Sequence, residues 1–165
     1  MKLRKYEKED SKIICSWVKD SKTLFQWSAD RIGKFPLQGD ELNENYRERN
    51  PETFTPMTAV DDNNNPVGHL FILIPDENEK STVRFGFVIV SPEVRGKGNG
   101  KKMLELAIDY SKKHFNADKI TLGVFENNPN ARHCYDALGF KPVSERTVKI
   151  LDDDWTCIDM ELNLS

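Results

Sequence analysis

Three glycines at alternate positions, in Arg95-Gly96-Lys97-Gly98-Asn99-Gly100, form the stretch of this sequence best suited to holding an anion. Glycine lets the backbone curl until several N–H groups converge on one point. Met103, Leu104, Ala107 and Ile108 follow at helical spacing, so a helix starts where the glycines end. Its first N–H groups and partial positive charge add to the same site, which suits a phosphate or pyrophosphate. Residues 95–113 contain six bases (Arg95, Lys97, Lys101, Lys102, Lys112, Lys113) against two acids (Glu105, Asp109), a local +4. Lys112 and Lys113 are equally well explained as charges favoured at a helix C-terminus. The spacing is not GxGxxG with an acid about twenty residues on, nor GxxxxGK[ST], which disfavours dinucleotide and P-loop sites. The bland alternative is a strand–helix turn that binds nothing.

A second constellation lies at 128–140. Asn128-Pro129 is an N-cap followed by a proline at the first helical position, and Gly139-Phe140 is the matching stop. Within that helix Tyr135 shares a side with Ala131 and Leu138, as a core tyrosine would. Its phenol is also neutral at physiological pH and can release a proton to a departing anion. His133 and Cys134 are adjacent, and adjacent helix residues do not face each other, so they make no Cys–His nucleophile pair. His69 and His114 have no ligand-spaced partners, and no metal site is expected.

Apolar runs set the frame around these groups. Leu3–Tyr6 is a short edge strand. Asp10 or Ser11 caps a helix carrying Ile13, Ile14, Trp17 and Val18, and Asp20-Ser21 restarts a second with Leu24, Phe25 and Trp27. Residues 41–49 are compatible with a polar helix. Strands follow near 57–60 and over 67–74, across the turn-forming stretch 61–66. Val83–Val90 is apolar on both faces beyond Arg84, as in a central strand covered on two sides. Another buried strand spans 120–125. The tail alternates as two strands, 141–150 and 155–164, joined at Asp152-Asp153-Asp154. The sum is a single α/β domain (α+β by some schemes) over 1–165.

Composition narrows the class. With 24 Lys/Arg and 27 Asp/Glu the net charge is −3, which argues against nucleic acid as the main partner. No apolar run is long enough for a membrane span, and the basic, charged start has no signal-peptide core. Three scattered cysteines without CxxC point to reduced thiols, and so to the cytoplasm.

The loop at 95–100 after an apolar strand resembles the [R/Q]-x-x-G-x-[G/A] acetyl-CoA loop of the GNAT family of N-acetyltransferases. Asn128, Ala131, Tyr135 and Gly139-Phe140 are similar to that family's second signature, N-x-x-A-x-x-x-Y-x-x-x-G-F. The resemblance implies a mixed sheet splayed between strands four and five and flanked by about four helices. It places a cofactor-binding core over 55–145, acceptor-side helices over 1–50 and a strand pair over 141–164. Acetyl-CoA would lie in the gap, with the backbone of Val88, Ile89 and Val90 along its pantetheine. Amides of Arg95, Gly96, Lys97, Gly98, Asn99, Gly100 and Lys101 would meet its pyrophosphate, with Asn128 also touching it.

In the chemistry so implied, a primary amine attacks the thioester directly in a ternary complex. Tyr135 protonates the thiolate, and a backbone N–H near Ile89 polarises the carbonyl. Many members carry a Glu before the loop where this chain has Arg84, which cannot accept the ammonium proton. Glu126 is the nearest substitute as base, with Asp159, Glu161 or water as others. Trp17, Phe25, Trp27 and Tyr46 lie in the segment that walls the acceptor side. The acceptor is a small amine, or alternatively a protein N-terminus or lysine. A CoA-binding module without turnover is the more distant alternative. Either a monomer or a homodimer is compatible with the chain.

Overall fold

In the computed structural model, which describes residues 1–165, the chain runs through seven strands and five α-helices. In order these are β1 (Lys2–Lys5), α1 (Asp10–Cys15), α2 (Ser21–Ser28), α3 (Glu41–Tyr46), β2 (Phe54–Val60), β3 (Pro66–Leu73) and β4 (Thr82–Val90), then a 3-10 turn at Pro92–Val94. There follow α4 (Asn99–Phe115), β5 (Lys119–Phe125), α5 (Pro129–Ala137), β6 (Lys141–Ile150) and β7 (Asp153–Asn163). The helix beyond the four or so expected is α3, inside the polar stretch 41–49.

All the strands join one sheet in the order β1-β2-β3-β4-β5-β7-β6, antiparallel except for the parallel pair β4–β5. Side-chain alternation divides the core between the two faces. Met57, Leu70, Ile72 and Phe85 turn to one face and pack with Met103, Leu104 and Ala107 of α4 and Tyr135 of α5. Phe54, Phe71 and Phe87 turn to the other and meet Ile14, Trp17, Leu24 and Trp27 from the α1–α3 segment. No helix is long and apolar enough to cross a membrane.

The start of α1 shows how local chemistry locks distant elements. Asp10 is the first helical residue rather than the cap. Its carboxylate accepts from the Glu7 N–H at 2.9 Å, from Arg4 at 2.8 and 2.9 Å and from the Thr58 hydroxyl at 2.7 Å. One buried carboxylate therefore ties β1, α1 and β2 together. Trp17 and Val18 lie beyond the end of α1 yet stay buried. Asp20 caps α2 as its position predicts, accepting from the Thr23 N–H at 2.7 Å. The last hairpin turns at Leu151-Asp152, with Leu151 at φ 55°, so Asp153 and Asp154 belong to β7 rather than to the turn.

Candidate active site

The β4–β5 ladder has only three rungs, Thr82↔Lys119, Val83↔Ile120 and Arg84↔Thr121, and beyond Arg84 the two strands part. A bulge in β4 sits just past this point. His69 pairs with Ile89 and Phe71 with Gly86, so β3 spends two steps where β4 spends three. Phe87 absorbs the extra residue at φ 50°. The bulge resets the alternation: Phe85 faces α4, whereas Phe87 and Ile89 face α1 and α2. Gly86 is required beside it, because a Cβ there would overlap the Phe71 ring.

The same register decides which backbone groups look into the gap. The Ser91 N–H donates to Val67 O at 2.8 Å, so residues 91 and 67 form a hydrogen-bonded pair. Antiparallel pairing alternates, which makes Ile89↔His69 hydrogen-bonded too and turns the Ile89 N–H toward β3. The Ile89 N–H, expected as the oxyanion donor, is thus engaged in the sheet rather than turned to the gap. Val88 and Val90 present their amides to the open edge, and the Val90 carbonyl already accepts from Arg95 Nε at 3.1 Å.

The glycine loop is built as its composition predicts. Gly96 and Gly98 both adopt φ 77°, with no atom within 4 Å of a notional Cβ, so conformation rather than crowding calls for glycine. Gly98 occupies the N-cap of the 17-residue α4, and no side chain caps that end. Its first N–H groups remain available to an anion. Asn99 is spent locally, donating to Val94 O at 2.9 Å. Lys97 and Lys101 are exposed beside the loop. A Cβ at Gly100 would lie 3.9 Å from Cys134 Sγ of α5, an ordinary contact, so packing does not require glycine there.

Asn128 caps α5, its side chain accepting from the Ala131 N–H at 3.4 Å. Tyr135 is 5 % exposed, with its ring edge-on to Phe140 at 5.9 Å. Burial, with a smaller contribution from Cys134, raises its pKa above the ordinary phenol value, so it stays protonated.

The four aromatic residues of the acceptor-side segment do not form one wall. Trp17 and Trp27 are core residues under α1–α3. Phe25 belongs to a separate cluster with Phe125, Ile150 and Cys157. Tyr46 hydrogen-bonds His69 Nε2 at 2.7 Å and stacks near Phe87. Among the carboxylates, Asp159 is engaged by Arg84 at 3.6 Å and Arg146 at 3.1 Å, and Glu161 by Lys119 at 3.4 Å. Glu126 is exposed just past β5 and makes no ion pair. With Asn127, Asp154, Trp155 and Thr156 it lines a depression of about 260 Å³. Gln26 of α2 reaches Asn127 at this edge, donating to its backbone carbonyl at 2.9 Å.

The mixed sheet with its splayed parallel pair agrees with the comparisons to known proteins. The sequence profile of the Acetyltransferase (GNAT) family matches residues 14–140. The chain belongs to this family. It is 29 % identical over 138 residues to the spermidine N(1)-acetyltransferase of Vibrio cholerae, covering 84 % of this chain and 77 % of that one. To the Escherichia coli K12 spermidine N(1)-acetyltransferase it is 26 % identical over 145 residues, 88 % of this chain and 75 % of that one. The fold matches the crystal structure of the Vibrio cholerae spermidine N-acetyltransferase with CoA and spermine, with a TM-score of 0.80 and 23 % identity. That match covers 98 % of this chain and 94 % of the other.

Proposed function

We propose that this GNAT acetyltransferase passes the acetyl group of acetyl-CoA to a small primary amine within one ternary complex, and the observation that carries this is the gap beyond the Arg84↔Thr121 rung. There the open edge of β4 offers the Val88 and Val90 amides to an extended pantetheine, much as a missing strand would be paired. The α4 N-terminus supplies N–H groups for the pyrophosphate. The amine nitrogen attacks the thioester carbonyl carbon, and the Val88 N–H stabilises the resulting oxyanion. The C–S bond then breaks as the Tyr135 hydroxyl gives its proton to the thiolate. The phenolate recovers a proton from solvent. The ammonium proton leaves through Glu126, which unlike Asp159 and Glu161 has no cation holding it.

Kinship with spermidine acetyltransferases supports a small amine over a protein terminus or lysine. Most of the chemistry comes from proximity, so the reaction needs little beyond the shaped gap. The test is calorimetric titration with acetyl-CoA, followed by thiol release over a panel of primary amines that includes spermidine. Micromolar binding, weakened in the Gly98→Glu variant and accompanied by turnover of at least one amine, is the expected result. Tight binding with no turnover of any amine would leave the non-catalytic reading in place.

A further inference from the structure

On the α2 face of the sheet, at the closed end of the gap, lies a cleft of about 560 Å³ whose floor is β4, β5 and β7. Three guanidiniums border it: Arg84 from β4, Arg146 from β6 and Arg31 just past α2. Space for two of them is made by a glycine. A Cβ on Gly123 would stand 3.0 Å from Arg84 Nη2 and 3.5 Å from Arg146 Nη2. Gly123 lies two residues beyond the last β4–β5 rung, so both groups converge where the gap begins.

The donors outnumber their acceptors. Each guanidinium carries five N–H donors in a planar fork. Arg84 uses one weakly on Thr121 Oγ1 at 3.4 Å, and it shares Asp159 with Arg146. Lys119 and Glu161 cancel each other across 3.4 Å. That leaves three guanidiniums facing Asp159 and Glu79. Arg84 is partly desolvated, with a side chain 26 % exposed, which strengthens any further charge-assisted hydrogen bond it makes. A polyamine extended along this cleft would bring ammonium groups against these cations, whereas a planar anion would complete their forks.

We propose that the cleft is an acceptor subsite for an anion, so that the amine substrate carries a carboxylate or phosphate at a short distance from its nitrogen. This rests on the transferase reading above and names its substrate class. Arg146 and Arg31 are the specificity-determining residues, and Arg84 anchors the closed end. The proposal also accounts for an arginine at the position where many family members carry a glutamate.

The test compares kcat/KM for matched amines with and without the anion. These are glycine, β-alanine, γ-aminobutyrate and O-phosphoethanolamine against propylamine, putrescine and spermidine. The expected result is a preference of about tenfold or more for an anionic member, falling toward unity in R146Q and R31Q, both of which alter exposed side chains. The carboxylate and phosphate arms show which anion fits. A preference for putrescine or spermidine, or an anionic preference unchanged in both variants, overturns the proposal. If no amine is turned over, titration of β-alanine and O-phosphoethanolamine into the CoA complex decides the matter separately. Saturable binding lost in R146Q supports the subsite while the transferase reading fails, and no binding rejects the subsite as well.

Discussion

Tyr135 carries two duties that pull in different directions: its ring fills the core under α4 and α5, while its hydroxyl is the candidate acid. Replacing it with Phe keeps the ring packing against Phe140 and removes only the proton donor. Tyr135→Phe should therefore lower kcat by about 100-fold while acetyl-CoA affinity changes by less than about twofold. Full kcat across the pH range would show that another group protonates the thiolate. Because burial raises the phenol's pKa, its ionisation should not contribute an alkaline limb to kcat below pH 10. At this scale the sequence was informative wherever a residue type has few uses. Glycines at φ 77°, an Asn-Pro cap and a buried Tyr all follow from local chemistry. Arg84 was conspicuous as a base position filled by a cation, but its partnership with Arg146 and Gly123 depends on three strands distant in sequence and had no local signal.

Among the elements, β4 was legible as a buried strand but its bulge was not. Beyond Arg84 the stretch Phe85–Val90 has no charged or polar side chain, and in such a run a one-residue reset of facing leaves no trace in hydrophobicity. The register beyond that reset is what turns the Ile89 N–H to β3 and makes Val88 the candidate oxyanion donor. One signal was present: Gly86 stands inside the run, where glycine marks a bulge or a close approach. The close approach is to the Phe71 ring, which gives a sharp test. Gly86→Ala should destabilise the protein by roughly 1–3 kcal/mol through overpacking. Adding Phe71→Leu should return much of that loss, as read by urea midpoints of the two variants. If the single variant is as stable as the parent, the ring contact is not what requires glycine there. Phe25, Trp27 and Tyr46 fall on helices as expected while Trp17 lies just past the end of α1, and the sequence could not say that these aromatics divide between two clusters. The division runs through α2 itself, whose Trp27 packs in one cluster and Phe25 in the other.

Over the whole molecule, buried polar groups set the response to acid. His69 is fully buried and hydrogen-bonded to Tyr46, and burial lowers its pKa from the ordinary 6.5 to about 3. Between those values the unfolded chain binds a proton that the folded one does not, so stability rises with pH across this window. Its contribution is complete above about pH 6.5 and is lost as pH falls toward 3. Asp10 adds a lower limb. Burial opposes its ionisation, but Arg4, the Glu7 N–H and Thr58 prevail and hold its pKa below the usual value, so its contribution is lost in stronger acid. His69→Gln should flatten the slope of unfolding free energy between pH 4 and 6.5. An unchanged slope would mean that His69 already ionises in the folded state.

The three-rung seam between β4 and β5 also has a consequence for the order in which the chain assembles. The β6–β7 hairpin closes across the two-residue turn Leu151-Asp152, so its first contacts are local and cost little loop entropy. The β4–β5 pairing joins residues 37 apart and must wait for the α4 crossover to pack. Its short ladder adds few hydrogen bonds once it forms. The seam should therefore zip late, after the rate-limiting barrier. Thr121→Ala should mainly speed unfolding, whereas Val148→Ala in the hairpin should slow folding, both read from chevron arms. The strand pair left open for catalysis is thus also a late part of the sheet to close.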